Sequence, residues 1–418
     1  MTSLLRHRDA CVYLAGQTLS TIGDNALWLA MAIWVKLLTG SNSEAGLVFF
    51  FFIAGMSLAP ATGVLVDRVR RRPLAAVANL VAAGLVCLLL LVHGRDQVPV
   101  IYAVMFGYGI LGALLGSAQT ALLPSLVPAD LLGEANSLLQ VGSQGMKIFT
   151  PLLGAGLLAW IGAAPVIWLD AGTFLVAAAC LAALSLREPR PAPAGTSWRA
   201  ELTAGMRYCW RTPVLRKLLV TAVLALTVIG FMETISFAVV SQGLHRTPPF
   251  LGVLVAIQAA GAIAGAVAAA PVMRRLGELV TIATGLLLLG AGALVLMTSL
   301  LGLVVAGSVL LGLSVAWINI AAVTLIQRRT APELIGRVDA ALIFASTGPQ
   351  AVSIAVGAAL ITVVSYRVLL AAIAAMMVVC FGYLLTGRAA GATSVDAQPA
   401  AKDTLEPGVV AEASSWPD

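Results

Sequence analysis

The chain has 418 residues, of which 60% are hydrophobic and only 11% charged, and its formal net charge is +6. A soluble domain carries about 25% charged and 45–50% apolar residues, so this composition excludes an ordinary soluble protein. Apolar segments of about 20 residues recur along the chain, the length at which an α-helix crosses a bilayer, and the short-period alternation of a membrane β-barrel does not occur. We therefore predict an all-α integral membrane protein.

Taken in chain order, the hydropathy pattern predicts twelve transmembrane helices that form two six-helix bundles. A polar, Pro- and Arg-containing stretch separates the sixth span from the seventh, and it contains a short amphipathic helix near 198–210 that we expect on the membrane surface. The predicted spans are 11–38, 44–66, 74–92, 99–122, 136–161, 165–186, 217–241, 251–271, 280–300, 301–326, 338–363 and 366–386.

These spans divide the chain into four parts. Residues 1–186 are predicted to form the first bundle, 187–216 a cytoplasmic linker, 217–386 the second bundle and 387–418 a disordered cytoplasmic tail. Twelve is an even number, so both termini are expected on the same side of the membrane.

The distribution of positive charge predicts which side that is. Twenty of the 25 lysines and arginines fall on the side of the termini and three on the opposite side. Because cytoplasmic loops are enriched in Lys and Arg, we expect both termini in the cytoplasm of a cell with this protein in its inner (plasma) membrane. The basic net charge then reflects topology, and a nucleic-acid partner is not needed to explain it.

The two predicted bundles show a weak internal repeat at an offset of 203 residues. The segment PADLLGEAN (128–136) aligns with APELIGRVD (331–339), Arg71 and Arg72 with Arg274 and Arg275, and Gly154 with Gly357. Parallel repeats of this kind are related by an axis along the membrane normal, with a cavity between them near the midplane. Such a duplicated design suits alternating exposure of the cavity better than a permanent pore.

The loop after the second span, GVLVDRVRRRPL (63–74), concentrates charge between two apolar segments. It resembles the signature of the major facilitator superfamily, G-x-L-x-D-R-x-G-R-R/K, with Arg70 where that family usually has glycine. The matching positions are Gly63, Leu65, Asp67, Arg68, Arg71 and Arg72.

The resemblance covers essentially the whole chain and implies a transporter fold in which this motif gates the cytoplasmic side. Gly63 would let the second helix approach a neighbour, and Asp67 would pair with arginines or with a helix N-terminus of the other bundle. The alternative is that the arginines only anchor the topology, which we favour for Arg70.

Two further segments resemble known exporters. The first, ALLPSLVPADLLGEANSL (121–138) in the loop between the fourth and fifth spans, resembles drug exporters of the macrolide-efflux and enterobactin-exporter branch. The second, GMKIFTPLLGAGLLAW (145–160), is similar to the antiporter motif G-P-x-x-G-G. It keeps Pro151 and Gly154 but has Thr150 and Ala155 at the flanking positions.

Charged side chains within apolar spans are costly, at least about 2.5–3.5 kcal/mol each at mid-membrane. Asp24 lies roughly 20 Å into the first span, on one face with Gln17, Thr21 and Trp28. We interpret Asp24 as a proton or cation site and Trp28 as a surface on which a substrate stacks. The alternative for Asp24 is a structural carboxylate that bonds neighbouring hydroxyl groups.

Glu233 in the seventh span and Lys147 in the fifth are further candidates. Carboxylates in both bundles that face one cavity would suit the exchange of a cation for protons. Lys147 would pair with either carboxylate, contact an anionic substrate group, or have a structural partner. Glu233 would otherwise lie near the outer interface.

The remaining intramembrane polar residues are less specific. We interpret Asp170 and Asp339 as caps near the start of the sixth and eleventh helices or as partners of the gating motif. Gln258, Trp317 and Asn319 either line the cavity or bond across helices.

Other chemistries receive no support from the sequence. The three histidines and five cysteines form no metal or disulfide motif, and no Gly-rich phosphate loop is present. No nucleophile–base pair is visible, so we expect neither an enzyme nor a resident cofactor. An ion gradient, with H⁺ as the expected coupling ion, supplies about 2.3 kcal/mol per charge and 100 mV.

The sequence therefore favours a proton-coupled exporter of amphipathic drugs or antibiotics that acts as a monomer in the lipid bilayer. The alternatives are an exporter of one endogenous metabolite, such as a siderophore or a self-made antibiotic, and an importer. A membrane sensor or enzyme is disfavoured because the longest polar segments are only about thirty residues and carry no catalytic constellation.

Overall fold

The computed structural model describes residues 8–127, 131, 145–146, 149–185, 198–330 and 334–386. Within these ranges the regular structure is helical, and ten helices are long and apolar enough to cross a membrane. The predicted all-α membrane fold is confirmed, and the protein is a multi-pass membrane protein.

In the first half, the helices follow the predicted spans closely. Two differences stand out: the second span is divided at 57–58, just before Pro60, and the fifth is described from residue 149 onward. The helices are α1 (Arg8–Thr39), α2 (Asn42–Met56), α3 (Ala59–Arg68), α4 (Arg71–Cys87) with a 3₁₀ turn at Leu88–Leu91, α5 (Val98–Leu126), α6 (Phe149–Trp160) and α7 (Ala163–Ala183).

Helix α8 (Trp198–Arg211) lies where the amphipathic linker helix was predicted, and the second half follows it. The first span of the second half is divided at Gly230 and ends in a π-helix, Val239–Gly243. The helices are α9 (Pro213–Ile229), α10 (Phe231–Ala238), α11 (Phe250–Leu276), α12 (Glu278–Val295), α13 (Leu301–Arg329), α14 (Ile335–Leu360) and α15 (Tyr366–Leu385).

Within the first half, α1 packs on α7 and α2, while α4 packs on α5 and α7. Helices α2 and α5 meet backbone to backbone: a Cβ atom at Gly55 would overlap the carbonyl oxygen of Phe106, and one at Gly109 would overlap that of Phe52. Membrane helices associate through such small residues because lipid provides no hydrophobic drive between them. The contact therefore holds α2 and α5 together as one rigid pair.

The second half is built around α13, which packs on α11 and α12, and α14, which packs on α9 and α10. A pair of glycines at the predicted repeat offset makes equivalent contacts in the two halves. Gly154 of α6 abuts the backbone of Ala26 in α1, and Gly357 of α14 abuts Phe231 at the start of α10, where a Cβ atom on Gly357 would lie 3.0 Å from the Cα of Phe231. Most of the aligned loop segments, 128–136 and 331–333, lie outside the described residues.

Among the described residues, the main contacts between the two halves lie at one end of the helices, which we call the distal side. It contains the connections at 40–41, 161–162, 244–249 and 361–365 and is opposite to the start of α1. There α2 packs on both α10 and α14. Contacts between the halves therefore close the distal side.

Candidate functional site

A cavity of about 250 Å³ lies between the two halves. The first half contributes Trp28 and Leu29 from α1 and Phe49 from α2, and the second half contributes side chains of α9 to α13. Most of the wall is apolar. The polar side chains that line it are Glu233, Ser236, Gln258 and Ser308.

Aromatic rings close this cavity where the halves meet. Trp28 packs against Phe49, with ring centroids 4.6 Å apart, and Phe49 stacks on Phe237 of α10 at 6.4 Å. Phe49 and Phe237 are almost fully buried. Next to them, Gly46 of α2 contacts Thr234 of α10 so closely that a Cβ atom on Gly46 would lie 2.9 Å from that of Thr234.

Glu233 is the acidic side chain among the described residues of the cavity wall. It lies in the first turn of α10, just after the helix break at Gly230. Among the described residues no side chain donates a hydrogen bond to its carboxylate, while the neighbouring Ser236 donates to its own helix at Met232 O, 2.6 Å away. A carboxylate in an apolar cavity without a protein donor is suited to hold a proton or to meet a cationic ligand.

Asp24 lies elsewhere and is not part of that cavity wall. Its Oδ1 accepts a hydrogen bond of 2.6 Å from the hydroxyl of Tyr108 in α5. The same hydroxyl lies 3.3–3.4 Å from the carboxylate of Asp170 in α7. The predicted sharing of one cavity by Asp24 and Glu233 is thus not what this structure shows, whereas Trp28 and Glu233 do lie together.

The interpretation of Asp170 as a cap is wrong. Helix α7 begins at Ala163, so Asp170 lies more than one turn inside it, and the residue is fully buried. Hydropathy places a helix along the chain but does not show which of its residues face other helices. The presence of an acid within a span was the available signal, and Tyr108 gave none because a tyrosine in an apolar helix is common.

The other residues of the predicted stripe on α1 bond within the first half. Gln17 donates to Gln119 of α5 at 3.2 Å, and Thr21 donates to Gln17 O. Of the weaker candidates, Gln258 lines the cavity, and Trp317 donates across helices to Gly265 O at 3.0 Å. Asn319 donates to Val315 O of its own helix, α13.

The described part of the antiporter-like motif lies against both α1 and the second half. Pro151 and Gly154 are buried, and Gly154 lets α6 touch the backbone of α1 at Ala26. A Cβ atom at Gly252 of α11 would lie 3.3 Å from Pro151 O. Lys147 lies outside the described residues.

The gating motif is described only in part. The side chains of Asp67 and Asp339 lie outside the described residues, and Arg68 and Arg70 are exposed. A Cβ atom at Gly63 would meet no described atom within 4 Å. Among the described residues, this glycine therefore makes no close contact with a neighbouring helix.

Arg72 of the motif binds within its own half. Its Nε donates to Leu181 O at 2.8 Å and its Nη2 to Ala182 O at 2.6 Å, both near the end of α7. A guanidinium at this position satisfies carbonyl groups that a helix C-terminus leaves unpaired and complements its partial negative charge. In this conformation Arg72 stabilises the α4–α7 contact.

We expect Arg72→Ala to destabilise the protein, because two charge-assisted hydrogen bonds of about 1.5–3 kcal/mol each would be lost. The midpoint of thermal unfolding in detergent should fall by roughly 3 °C or more. Arg70→Ala, which removes an exposed arginine two residues away, is the matched control and should change the midpoint by less than 1 °C. Equal effects of the two substitutions would contradict the helix-capping role.

The described His, Cys, Asp and Glu side chains do not gather into a group of three or more that could hold a metal ion. On the side opposite to the distal contacts, α8 packs on α14, and the Tyr208 hydroxyl donates to Arg329 O at 3.3 Å. The linker helix is thus attached to the second half.

Comparison with known proteins identifies the family of this architecture. The sequence pattern of the Major Facilitator Superfamily matches residues 13–244 and 223–413. An uncharacterized MFS-type transporter, y4rN, of Sinorhizobium fredii is 26% identical over 336 residues, which cover 78% of this chain and 82% of that protein.

Two other similarities are informative. The multidrug efflux pump Tap of Mycolicibacterium fortuitum is 28% identical over 249 residues, 56% of this chain and 59% of that protein. The crystal structure of a bacterial homologue of the iron transporter ferroportin in an inward-facing state shares the fold, with a TM-score of 0.69 and 16% identity over 90% of this chain and 98% of that one. The chain therefore belongs to the Major Facilitator Superfamily of membrane transporters.

Proposed function

We propose that this protein is a proton-coupled exporter of amphipathic, preferentially cationic compounds and that it works by alternating access. The observation that supports this most directly is the cavity between the halves, whose apolar wall carries Trp28 and the carboxylate of Glu233. An amphipathic cation needs an apolar surface for its body and a negative charge or an aromatic face for its charged end.

The contacts between the halves support the alternating-access part of the proposal. They lie on the distal side, where α2 packs on α10 and α14. With both termini in the cytoplasm, as the arginine distribution predicts, the distal side is the outer face of the plasma membrane. The structure then corresponds to a state closed toward the outside, and export requires these contacts to separate.

The similarity to the multidrug efflux pump Tap supports export of drugs, although at 28% identity over part of the chain. The size of the cavity favours a second candidate. At about 250 Å³ it is slightly smaller than the roughly 300–1,000 Å³ typical of ligand sites, which suits a specific smaller metabolite. The cation preference that Glu233 implies applies to both candidates.

The test is transport by the full-length protein in sealed proteoliposomes that carry a pH-sensitive dye and a preset pH gradient. A panel would contain cationic, neutral and anionic amphipaths together with small polar metabolites. We expect the cationic amphipaths to dissipate the gradient at least tenfold faster than in protein-free vesicles, with no requirement for Na⁺. Dissipation only by small metabolites would favour the second candidate, and no response to any compound under H⁺ or Na⁺ gradients would overturn both.

A further inference from the structure

Three helices of the first half bring Asp24, Tyr108 and Asp170 to one buried point. The close approach depends on Gly23 of α1, because a Cβ atom there would overlap Oδ1 of Asp170 and Oγ1 of Thr173. Tyr108 is 5% exposed and Asp170 fully buried, while Asp24 is partly exposed. The cluster therefore has one end inside the protein and one end that is accessible.

The Tyr108 hydroxyl lies near two carboxylates but can donate a hydrogen bond to only one of them. A tyrosine hydroxyl has a single hydrogen to donate. Tyr108 donates this hydrogen to Asp24, because its hydroxyl oxygen lies 2.6 Å from Asp24 Oδ1. The distances of 3.3 and 3.4 Å from the same hydroxyl to the Asp170 carboxylate exceed the usual O–H···O range of about 2.5–3.0 Å. Among the described residues no other side chain donates to Asp170. An ionised Asp170 would thus be a fully buried charge without a donor.

Among the described residues, the surroundings offer no compensating charge. The rings of Phe52 and Phe174 pack around Tyr108, with centroids 6.0 and 5.8 Å from its own. Lys147 lies outside the described residues. The other described ionisable side chains on α1, α2, α4, α5 and α7 belong to different turns, most of them near helix ends: Arg8, Asp9, Cys11, Tyr13, Lys36, Glu44, Arg71, Arg72, Cys87, Tyr102 and Cys180.

We propose that Asp170 holds a resident proton and that Asp170, Tyr108 and Asp24 form a proton relay. Protonated Asp170 would donate to the Tyr108 oxygen while Tyr108 donates to Asp24, so each oxygen pair in the chain has one hydrogen. In a transfer step the Tyr108 proton moves to Asp24 and the Asp170 proton replaces it. One proton thereby passes from the buried carboxyl group to the accessible one, and Tyr108 is neutral before and after.

The relay extends the role predicted for Asp24 and deepens the proposed function, since its use in coupling rests on proton-driven transport. The occupancy of Asp170 by a proton does not rest on it. An ionised carboxylate would also be unfavourable here because a second carboxylate lies on the other side of the same hydroxyl. Proton occupancy can therefore be tested without a transported substrate.

The experiment is infrared difference spectroscopy of the purified full-length protein in lipid nanodiscs at neutral pH, comparing H₂O with D₂O. A protonated carboxyl group gives a C=O band that shifts on deuteration and that an ionised one lacks. We expect the wild type to show this band and Asp170→Asn to lose the intensity of one carboxyl group. Glu44→Gln, which removes a carboxylate paired with Arg95 at 3.2 Å, is the control and should leave the band unchanged.

Tyr108→Phe provides a second arm should Asp170→Asn fail to fold. Without the phenolic oxygen, the Asp170 hydroxyl loses its acceptor, so the band should persist and move to higher frequency. An unchanged band in both variants, or no deuterium-sensitive carboxyl band in the wild type, would overturn the proposal. A band that behaves as expected in a protein that moves no compound would instead contradict only the proposed transport function.

Discussion

Replacing Glu233 with glutamine is expected to reduce transport of permanently cationic amphipaths at least thirtyfold while leaving the cavity intact. Removal of one member of a buried charge pair costs about 2–5 kcal/mol, and each 1.4 kcal/mol is a factor of ten. Glutamine has nearly the volume of glutamate, so packing against Trp28 and the rest of the cavity wall should be preserved. The measurement is the ratio of the maximal efflux rate to KM for a quaternary ammonium dye in proteoliposomes.

Two comparisons make this result specific. Ser236→Ala changes a polar residue of the same helix and the same cavity, but its hydroxyl already bonds to Met232 O, so we expect less than a threefold effect. A neutral amphipath of similar size should be transported by Glu233→Gln at close to the wild-type rate. An equal loss for neutral and cationic compounds would show that Glu233 supports the structure or carries the coupling proton and does not select charge.

The second large effect is expected from Gly46→Ala, which should weaken the closure of the distal side. The added methyl group would meet Thr234 Cβ at 2.9 Å and Cγ2 at 3.1 Å, across the contact between α2 and α10. Overpacking of this kind costs about 1–3 kcal/mol, which shifts the closed-to-open equilibrium by roughly 5- to 140-fold. Efflux should fall because the protein then rests in the state open on the distal side.

This shift can be measured as a distance between the halves. Spin labels at Asp96→Cys and Thr247→Cys, both exposed on the distal side, should move apart in Gly46→Ala in a background without the five native cysteines. Gly84→Ala is the matched control, because a Cβ atom at Gly84 meets no described atom within 4 Å. Adding Thr234→Gly should restore the short distance. If the distances between the two spin labels were distributed as in the parent protein, the gating role of this contact would be refuted.

The positions of the helices could be predicted closely from the sequence, because the thickness of the hydrocarbon core fixes the length of an apolar segment. The predicted span 99–122 became α5, and 366–386 became α15. The breaks at 57–58 and at Gly230 were missed. Hydropathy averages over a window and does not register a local change in backbone conformation when the flanking residues remain apolar.

The candidate site was predictable only in part, because the sequence shows which residues are charged but not which helices they contact. A charge within a span is visible in the sequence, so Asp24 and Glu233 were identified as candidates, and helical periodicity placed Trp28 on the face of Asp24. Which helices these residues meet depends on how neighbouring helices rotate and slide, and that is set by contacts such as Gly23 against Asp170. The bridging of Asp24 to Asp170 by Tyr108 therefore emerged only from the packed structure.

The glycine contacts inside each half bear on how such a protein can change its cargo over evolutionary time. Gly55 and Gly109 join α2 to α5, and Gly312 of α13 abuts Gln258 O of α11, so even an alanine at these points would force the backbones apart. The cavity wall, in contrast, consists mostly of side chains that can be exchanged for others of similar volume. A mutant library restricted to that wall should therefore yield many folded variants that prefer other transported compounds. Random substitution at the glycines should yield few variants that fold.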